Sequence, residues 1–307
     1  MFPIIPANTL VETGNDEGIF AYGTSSSPTL DVSISNLVSN SGVVSSDVAG
    51  VGTARQAIAA CEYGGDKGIC GFGYDGSSGV AETNLVSNSG VVASDVAGVG
   101  TIRWSLAACS YGGDKGIFGF GWTGSASSLT NLVSNAGVVA SDQAATTGSA
   151  RLALSACEYG GDKGIFGFGT TTGGVGGNTA VTNLVSNTGV ISSDVAGVGQ
   201  VRGYSTACSY GDDKGIFGYG YKADGNTTIT NLVSNAGVVA SDVAGVGTAR
   251  RGAAATQYDK DKGIFGYGLA SSYVAVTNLV SNAGVVSSDQ AATTGTIRGS
   301  LAACSFN

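Results

Sequence analysis

The chain repeats itself six times, and this limits its fold more than any other feature. The string Asn-Leu-Val-Ser-Asn begins at Asn36, Asn84, Asn131, Asn183, Asn231 and Asn278. A second string, Asp-Lys-Gly-Ile-Phe-Gly-(Phe/Tyr)-Gly, begins at Asp114, Asp162, Asp213 and Asp261. It has variants at Asp66, where Cys70 replaces Phe, and at Asp16, where Glu17 replaces Lys. An Arg stands six residues before a Cys at Arg55, Arg103, Arg151, Arg202 and Arg298, and the sixth Arg, Arg250, precedes Thr256. A period of about 48 residues signals units that bury their apolar faces against one another, not two ordinary domains.

The intervals between Asn-Leu-Val-Ser-Asn copies are 48, 47, 52, 48 and 47 residues, a series that recurs after three units. Asn36 to Asn183, Asn84 to Asn231 and Asn131 to Asn278 each span 147 residues. The simplest expectation is a duplicated three-unit block filling residues 15–307. Residues 1–14 match the repeat poorly and are expected to be an N-terminal arm.

Each unit reads as β-structure. Val, Ile, Thr, Phe and Tyr punctuated by Gly, Asn and Ser are strand and turn material, and only 3 Pro occur. In the third copy four strands are expected, near Ser105–Tyr111, Gly116–Trp122, Leu129–Asn135 and Val138–Asp142. With Gly112–Lys115 as the loop, Cys109 would face Phe118 and Ala107 would face Phe120, leaving Ile117, Gly119 and Gly121 on a flattened opposite face. Four short strands per unit, six times over, predict an all-β, six-bladed β-propeller with four-stranded blades, the alternative being a parallel β-helix. The chain restarts its unit at Thr296–Phe306, so the C-terminal strand is expected to complete the first blade and close the ring.

Composition excludes several chemistries. The 307 residues contain no His, so a Ser-His-Asp triad and His-ligated zinc are ruled out. A net charge of −8 argues against nucleic-acid binding. The stretch Met1–Leu10 lacks a basic start, and no run approaches 18 apolar residues, so neither a signal peptide nor a membrane span is expected. The 52 Gly and 3 Pro stay below the roughly 25–30% of a disordered low-complexity chain.

Charge and thiol positions follow the repeat. Arg55, Arg103, Arg151, Arg202, Arg250 and Arg298, with Asp47, Asp95, Asp142, Asp194, Asp242 and Asp289, are read as structural Arg–carboxylate pairs. Every repeated acid occurs about six times, which suits architecture better than a catalytic pocket, and no Asp-x-Asp-x-Asp-Gly loop suggests calcium. No cofactor, metal site or catalytic residue is expected. Cys61, Cys109, Cys157, Cys208 and Cys304 share one position, too dispersed for pairing. Cys70, placed opposite Cys61, leaves a cross-strand disulfide open.

Variation is concentrated in two places. One is the segment after each Gly-(Phe/Tyr)-Gly: Thr24–Ser35, Tyr74–Thr83, Trp122–Thr130, Thr170–Thr182, Tyr221–Thr230 and Leu269–Thr277. The other is the residue pair after each Arg. In an antiparallel blade both fall at the same end, which puts Tyr74, Trp104, Trp122, Tyr204, Tyr221 and Tyr273 on one face. Exposed aromatics among Gly, Ser, Thr and Asn suit stacking on sugars or anchoring a protein partner.

The unit resembles the kelch-type propeller repeat over nearly the whole chain, although it lacks the late Trp of each kelch repeat. It is more similar to repeat proteins carrying Asp-Lys-(Gly/Ala)-Ile-Phe-Gly-(Phe/Tyr)-Gly and Thr-Asn-Leu-Val-Ser-Asn-x-Gly-Val-Val from virions of tailed phages, as in Asp162–Gly169 and Thr182–Val190. That resemblance implies a non-enzymatic virion component, such as a tail, adhesin or decoration protein. Its partners would be other virion proteins or a host-surface glycan or receptor, within a homo-oligomeric or multi-protein assembly. A free carbohydrate-binding propeller lectin is the alternative function.

Overall fold

The computed structural model describes residues 15–26, 29–144, 148–291 and 295–307. The expected arm, 1–14, lies outside the described residues. The described chain is all-β with no α-helix, and no helix is long and apolar enough to cross a membrane. Each repeat contributes one three-stranded antiparallel sheet. The second sheet joins Ala59–Tyr63, Lys67–Tyr74 and Gly79–Val86. The third joins Ala107–Tyr111, Lys115–Gly119 and Thr130–Val133. The fourth, fifth and sixth are built the same way, starting at Ser155–Tyr159, Thr206–Tyr210 and Ala254–Tyr258. The first sheet draws on both ends of the described chain. Glu17–Ala21 lies between Ser35–Val38 and the C-terminal Ala302–Phe306, as the restart at Thr296 predicted.

Two expectations about the units need correction. Tyr111 pairs with Lys115, so the first hairpin turns on the three residues Gly112, Gly113 and Asp114. Gly112 and Gly113 have φ of 63° and 77°, a tight left-handed course that two glycines allow. The shorter loop shifts the register by one residue. Cys109 faces Ile117, Ala107 faces Gly119 and Ala108 faces Phe118. A one-residue slip exchanges the faces, so Cys109 and Phe118 lie on opposite sides of the sheet.

The expected fourth strand is reduced to isolated pairings. In the third unit these are Val133 with Val139 and Thr130 with Gln143. Ala140 N–H still donates to Leu132 O at 2.8 Å, but Gln143 N–H donates to Thr130 O, leaving Ser141 and Asp142 opposite the single residue Asn131. This is a β-bulge. It arises because Asn131 Nδ2 bonds Asp142 Oδ1 at 2.9 Å and Ala140 O at 3.0 Å, taking the place of the ladder with side-chain bonds.

Packing between sheets follows the corrected register. The Phe118 ring covers Gly71 of the second sheet, and a methyl group on Gly71 would lie 2.9 Å from Phe118 Cζ. Phe166, Phe217, Phe265 and Phe20 cover Gly119, Gly167, Gly218 and Gly266 in the same way. In the opposite direction, Cys61 reaches Gly116, Cys109 reaches Gly164, and Thr256 takes the same role against Gly18. One gap departs from this rule. Where the other sheets have Gly, the first has Ala21, and where they have Phe, the second has Cys70. Ala21 and Cys70 lie in one apolar cluster, so an added methyl group is matched by a missing ring.

Six apolar clusters fill the gaps between consecutive sheets, including one between the sixth and the first. Backbone bonds follow the same path. Ser105 N donates to Ala57 O, Ala153 N to Ser105 O, Tyr204 N to Ala153 O, Gly252 N to Tyr204 O, Ser300 N to Gly252 O and Ala57 N to Ser300 O, all within 2.7–3.1 Å. The circuit returns to its first residue. Its five non-Gly members have φ of 51–54° and Gly252 has 57°, a strained collar kept in every unit. A second circuit joins the hairpin turns, from Gly64 N to Asp114 O and onward to Asn307 N and Asp66 O.

Candidate functional site

The six repeat Arg side chains are fully buried between sheets. Arg103 leaves the connector ahead of the third sheet and lays its guanidinium 4.2 Å over the Phe72 ring of the second. The other five stack likewise, over Tyr22, Phe120, Phe168, Tyr219 and Tyr267. Nη2 donates to an Asn Oδ1 of the following sheet, at 2.6 Å for Arg151 to Asn183 and 2.8 Å for Arg202 to Asn231. Arg298 differs, donating from Nε to Tyr22 O at 2.8 Å and from Nη2 to Phe20 O at 3.3 Å. Burial pulls Arg103, Arg151 and Arg202 down to about 10, so all three stay charged at neutral pH.

The expected Arg–Asp pairing is a minor contact. Arg103 and Asp142 stand 3.6 Å apart, Arg151 and Asp194 3.7 Å, and Arg298 and Asp47 4.0 Å. The Asp side chains chiefly clamp the connector that carries the Arg. Thr101 donates to Asp142 from N at 2.9 Å and from Oγ1 at 2.6 Å. Asp95 holds Thr53, Asp194 holds Ser149, Asp242 holds Gln200, Asp289 holds Thr248 and Asp47 holds Thr296. Arg250 and Arg55 complete the set, donating to Thr248 O and Glu82 O. The Asp–Asn–Arg–aromatic chain is therefore a fastening found in five gaps, and in the sixth Arg298 bonds backbone carbonyls in place of the Asn.

The variable aromatics are placed differently. The residue after each Arg pairs across the sheet with the residue after Gly-(Phe/Tyr)-Gly, as in Gln56 with Tyr74, Trp104 with Trp122, Leu152 with Thr170, Gly203 with Tyr221 and Arg251 with Leu269. Both variable positions thus meet in each unit, next to the collar. Neighbouring units also touch. The Tyr74 and Trp104 rings are 5.5 Å apart, and the Arg251 guanidinium lies 4.4 Å over Tyr221. Tyr204 belongs to the collar and is 36% exposed, while Tyr273 packs on Gly299. The six aromatics form a discontinuous belt, not one pocket.

The six inner strands line successive cavities. The first, about 130 Å³, lies inside the collar and is lined by Ala, Ser, Leu and Tyr204. At the far end, beside the hairpin turns, is a cavity of about 170 Å³ lined by Glu62, Glu158, Gln257, Ser110 and Ser209. The sequence reading did not single out these residues. The available signal was the residue after each repeat Cys or Thr256: Glu62, Ser110, Glu158, Ser209, Gln257 and Ser305. Burial pushes Glu158 up to about 8, with help from the charge of Glu62, against a hydrogen bond from Ser110. Burial also raises Glu62, against a hydrogen bond from the Ser305 hydroxyl.

All six Cys are free and buried, and burial pushes Cys208 up to about 12. The Cys61–Cys70 disulfide left open by the sequence does not form. Cys61 pairs with Ile69 and Cys70 with Ala60, which puts the two sulfurs on opposite faces of the sheet. Among the described residues no three His, Cys, Asp or Glu side chains gather as a metal-binding group. No protein-family model matches the chain, and no curated protein matches it.

Proposed function

We propose that the chain is a six-bladed β-propeller closed by its C-terminal strand, serving as a non-enzymatic display platform in a phage particle. The closed-propeller reading is supported by the sixth-to-first apolar cluster and by a backbone circuit that returns to its starting residue. The virion reading rests on the resemblance of the repeated strings. The binding reading is carried by one observation: the two variable positions of each unit meet across the sheet, at one end of the axis, beside an otherwise uniform collar. A fold that repeats its fastenings and varies this exposed belt concentrates surface recognition there.

The partner proposed is another virion protein or a host-surface glycan. A free lectin is the weaker reading, because equivalent sugar sites would recur in every blade, whereas the belt holds Tyr74 and Trp104 in one gap and Arg251 and Tyr221 in another. Mass spectrometry of purified particles should detect the chain, and its absence would refute the virion role. In pull-downs of disrupted particles and on glycan arrays, a Trp104→Ala/Tyr221→Ala variant should lose at least about tenfold in affinity with its melting temperature nearly unchanged. Unaltered binding would remove the belt from the mechanism.

A further inference from the structure

The axial cavity at the hairpin-turn end breaks the sixfold pattern in its chemistry. At one position the six inner strands carry Glu62, Ser110, Glu158, Ser209, Gln257 and Ser305, although the preceding residue is Cys in five of them. The 147-residue duplication does not explain this, since the partners of Glu62 and Glu158 at that spacing are Ser209 and Ser305. No Lys or Arg lines the cavity, and its rim adds Asp114, Asp212 and Asp213. The Lys side chains near Asp114 and Asp213 pair with those two at 2.7 and 2.8 Å. Glu62 accepts from the Ser305 hydroxyl and backbone N–H and Glu158 from the Ser110 hydroxyl, and neither has a cationic partner.

Gln257 supplies a second and independent observation. It is only 9% exposed, lines both the middle and the lower cavity, and its amide has no hydrogen-bond partner among the described residues. As a cavity-lining side chain without a protein partner, it is placed to meet water or a ligand there. Every donor atom available there is oxygen, because Cys61 and Cys157 turn their sulfurs onto Gly116 and Gly215 of the next sheets. Two carboxylates, an amide oxygen and hydroxyl oxygens make a hard ligand set whose charge balances a divalent cation.

We propose that this cavity binds a hydrated divalent cation of the calcium class, held between the Glu62 and Glu158 carboxylates with the Gln257 amide oxygen as third protein ligand. Such a site is independent of the belt and of any virion role. With only two carboxylates, water fills the remaining coordination positions, and affinity falls in the weak range of about 10⁻⁴–10⁻³ M. Burial raises both carboxyls, with the charge of Glu62 adding to it at Glu158, and a bound cation would offset that cost.

The test uses the full chain, stripped with chelator, at about pH 8.5, above the value of about 8 for Glu158. Terbium should luminesce on excitation of Tyr63 and Tyr159, which line the same cavity, and calcium at about 10 mM should displace it. Calcium should raise the melting temperature of the wild type, and a Glu62→Gln/Glu158→Gln variant should lose both responses. Gln257→Leu should weaken calcium binding severalfold with the fold intact. A wild type that responds to neither ion overturns the proposal. So does a response that survives in the double variant, which would assign the ion to the turn aspartates.

Discussion

Two sets of buried polar side chains behave in opposite ways. The Arg set occurs in all six gaps, each guanidinium on an aromatic ring and, in five gaps, on an Asn. The axial set alternates Glu and Ser, substitutes Gln once, and leaves that Gln without a partner. A polar group repeated six times in the same stacked position is part of the fastening, even though the Nε of five of these Arg residues has no hydrogen-bond partner. A polar group that departs from the repeat and is left raised in pKa or unpaired is a candidate for function. The Ala21 and Cys70 departure teaches the converse, because there one change compensates another and the packing is restored.

The first way to break this contrast is to remove one fastening. Arg151→Ala should destabilise the chain by about 3–5 kcal/mol in urea denaturation, because it strips the Phe120 face and leaves Asn183 and Asp194 without their cation. Arg202→Ala should show a comparable loss. A loss below about 1 kcal/mol at both sites would mean that the set is not structural.

A second test separates compensated departures from functional ones. Cys70→Phe alone should overpack against Ala21 at about 1–3 kcal/mol, and adding Ala21→Gly should recover most of that loss. A double-mutant cycle with no coupling would show that the two substitutions arose independently of packing.

The smallest effect is a pH dependence. The Glu158 carboxyl titrates at about 8 when folded, against 4.5 for the ordinary side chain, so the folded chain holds a proton that the unfolded chain releases. Stability should therefore be free of this penalty below about pH 4.5, fall as pH rises towards 8, and level off above it. Glu158→Gln should flatten that decline, gaining on the order of 1 kcal/mol at pH 8.5 once solvent in the cavity is allowed for. Parallel stability–pH curves for wild type and variant would show that Glu158 is not held out of its normal range.

Some of this was legible in the sequence. The six units, their strand content and the C-terminal strand in the first sheet follow from strings that local pattern alone exposes. The hairpin register was not legible, because paired glycines permit a loop one residue shorter and a single residue reverses both faces. The fourth strand failed for a related reason, since Asn131 and Asp142 exchange side-chain bonds where ladder bonds were expected. Opposite charge suggested Arg with Asp, yet the nearer partners of Arg are Asn and an aromatic ring, which charge counting does not reveal. The axial Glu residues were hidden because repeat analysis draws attention to what recurs.

The collar has a consequence for how such a chain can diversify. Its six peptide bonds hand a proton donor from each unit to the next at nearly one angle, φ between 51° and 57°, and the last acceptor belongs to the first donor. A circuit with that geometry has a fixed membership. Adding or removing a unit would require this circuit to open and re-form. Copies can be rewritten in place, or lengthened in the loops outside the collar as between Thr170 and Thr182, without disturbing it. Innovation in this lineage is thereby directed into what each unit displays, and away from how many units there are.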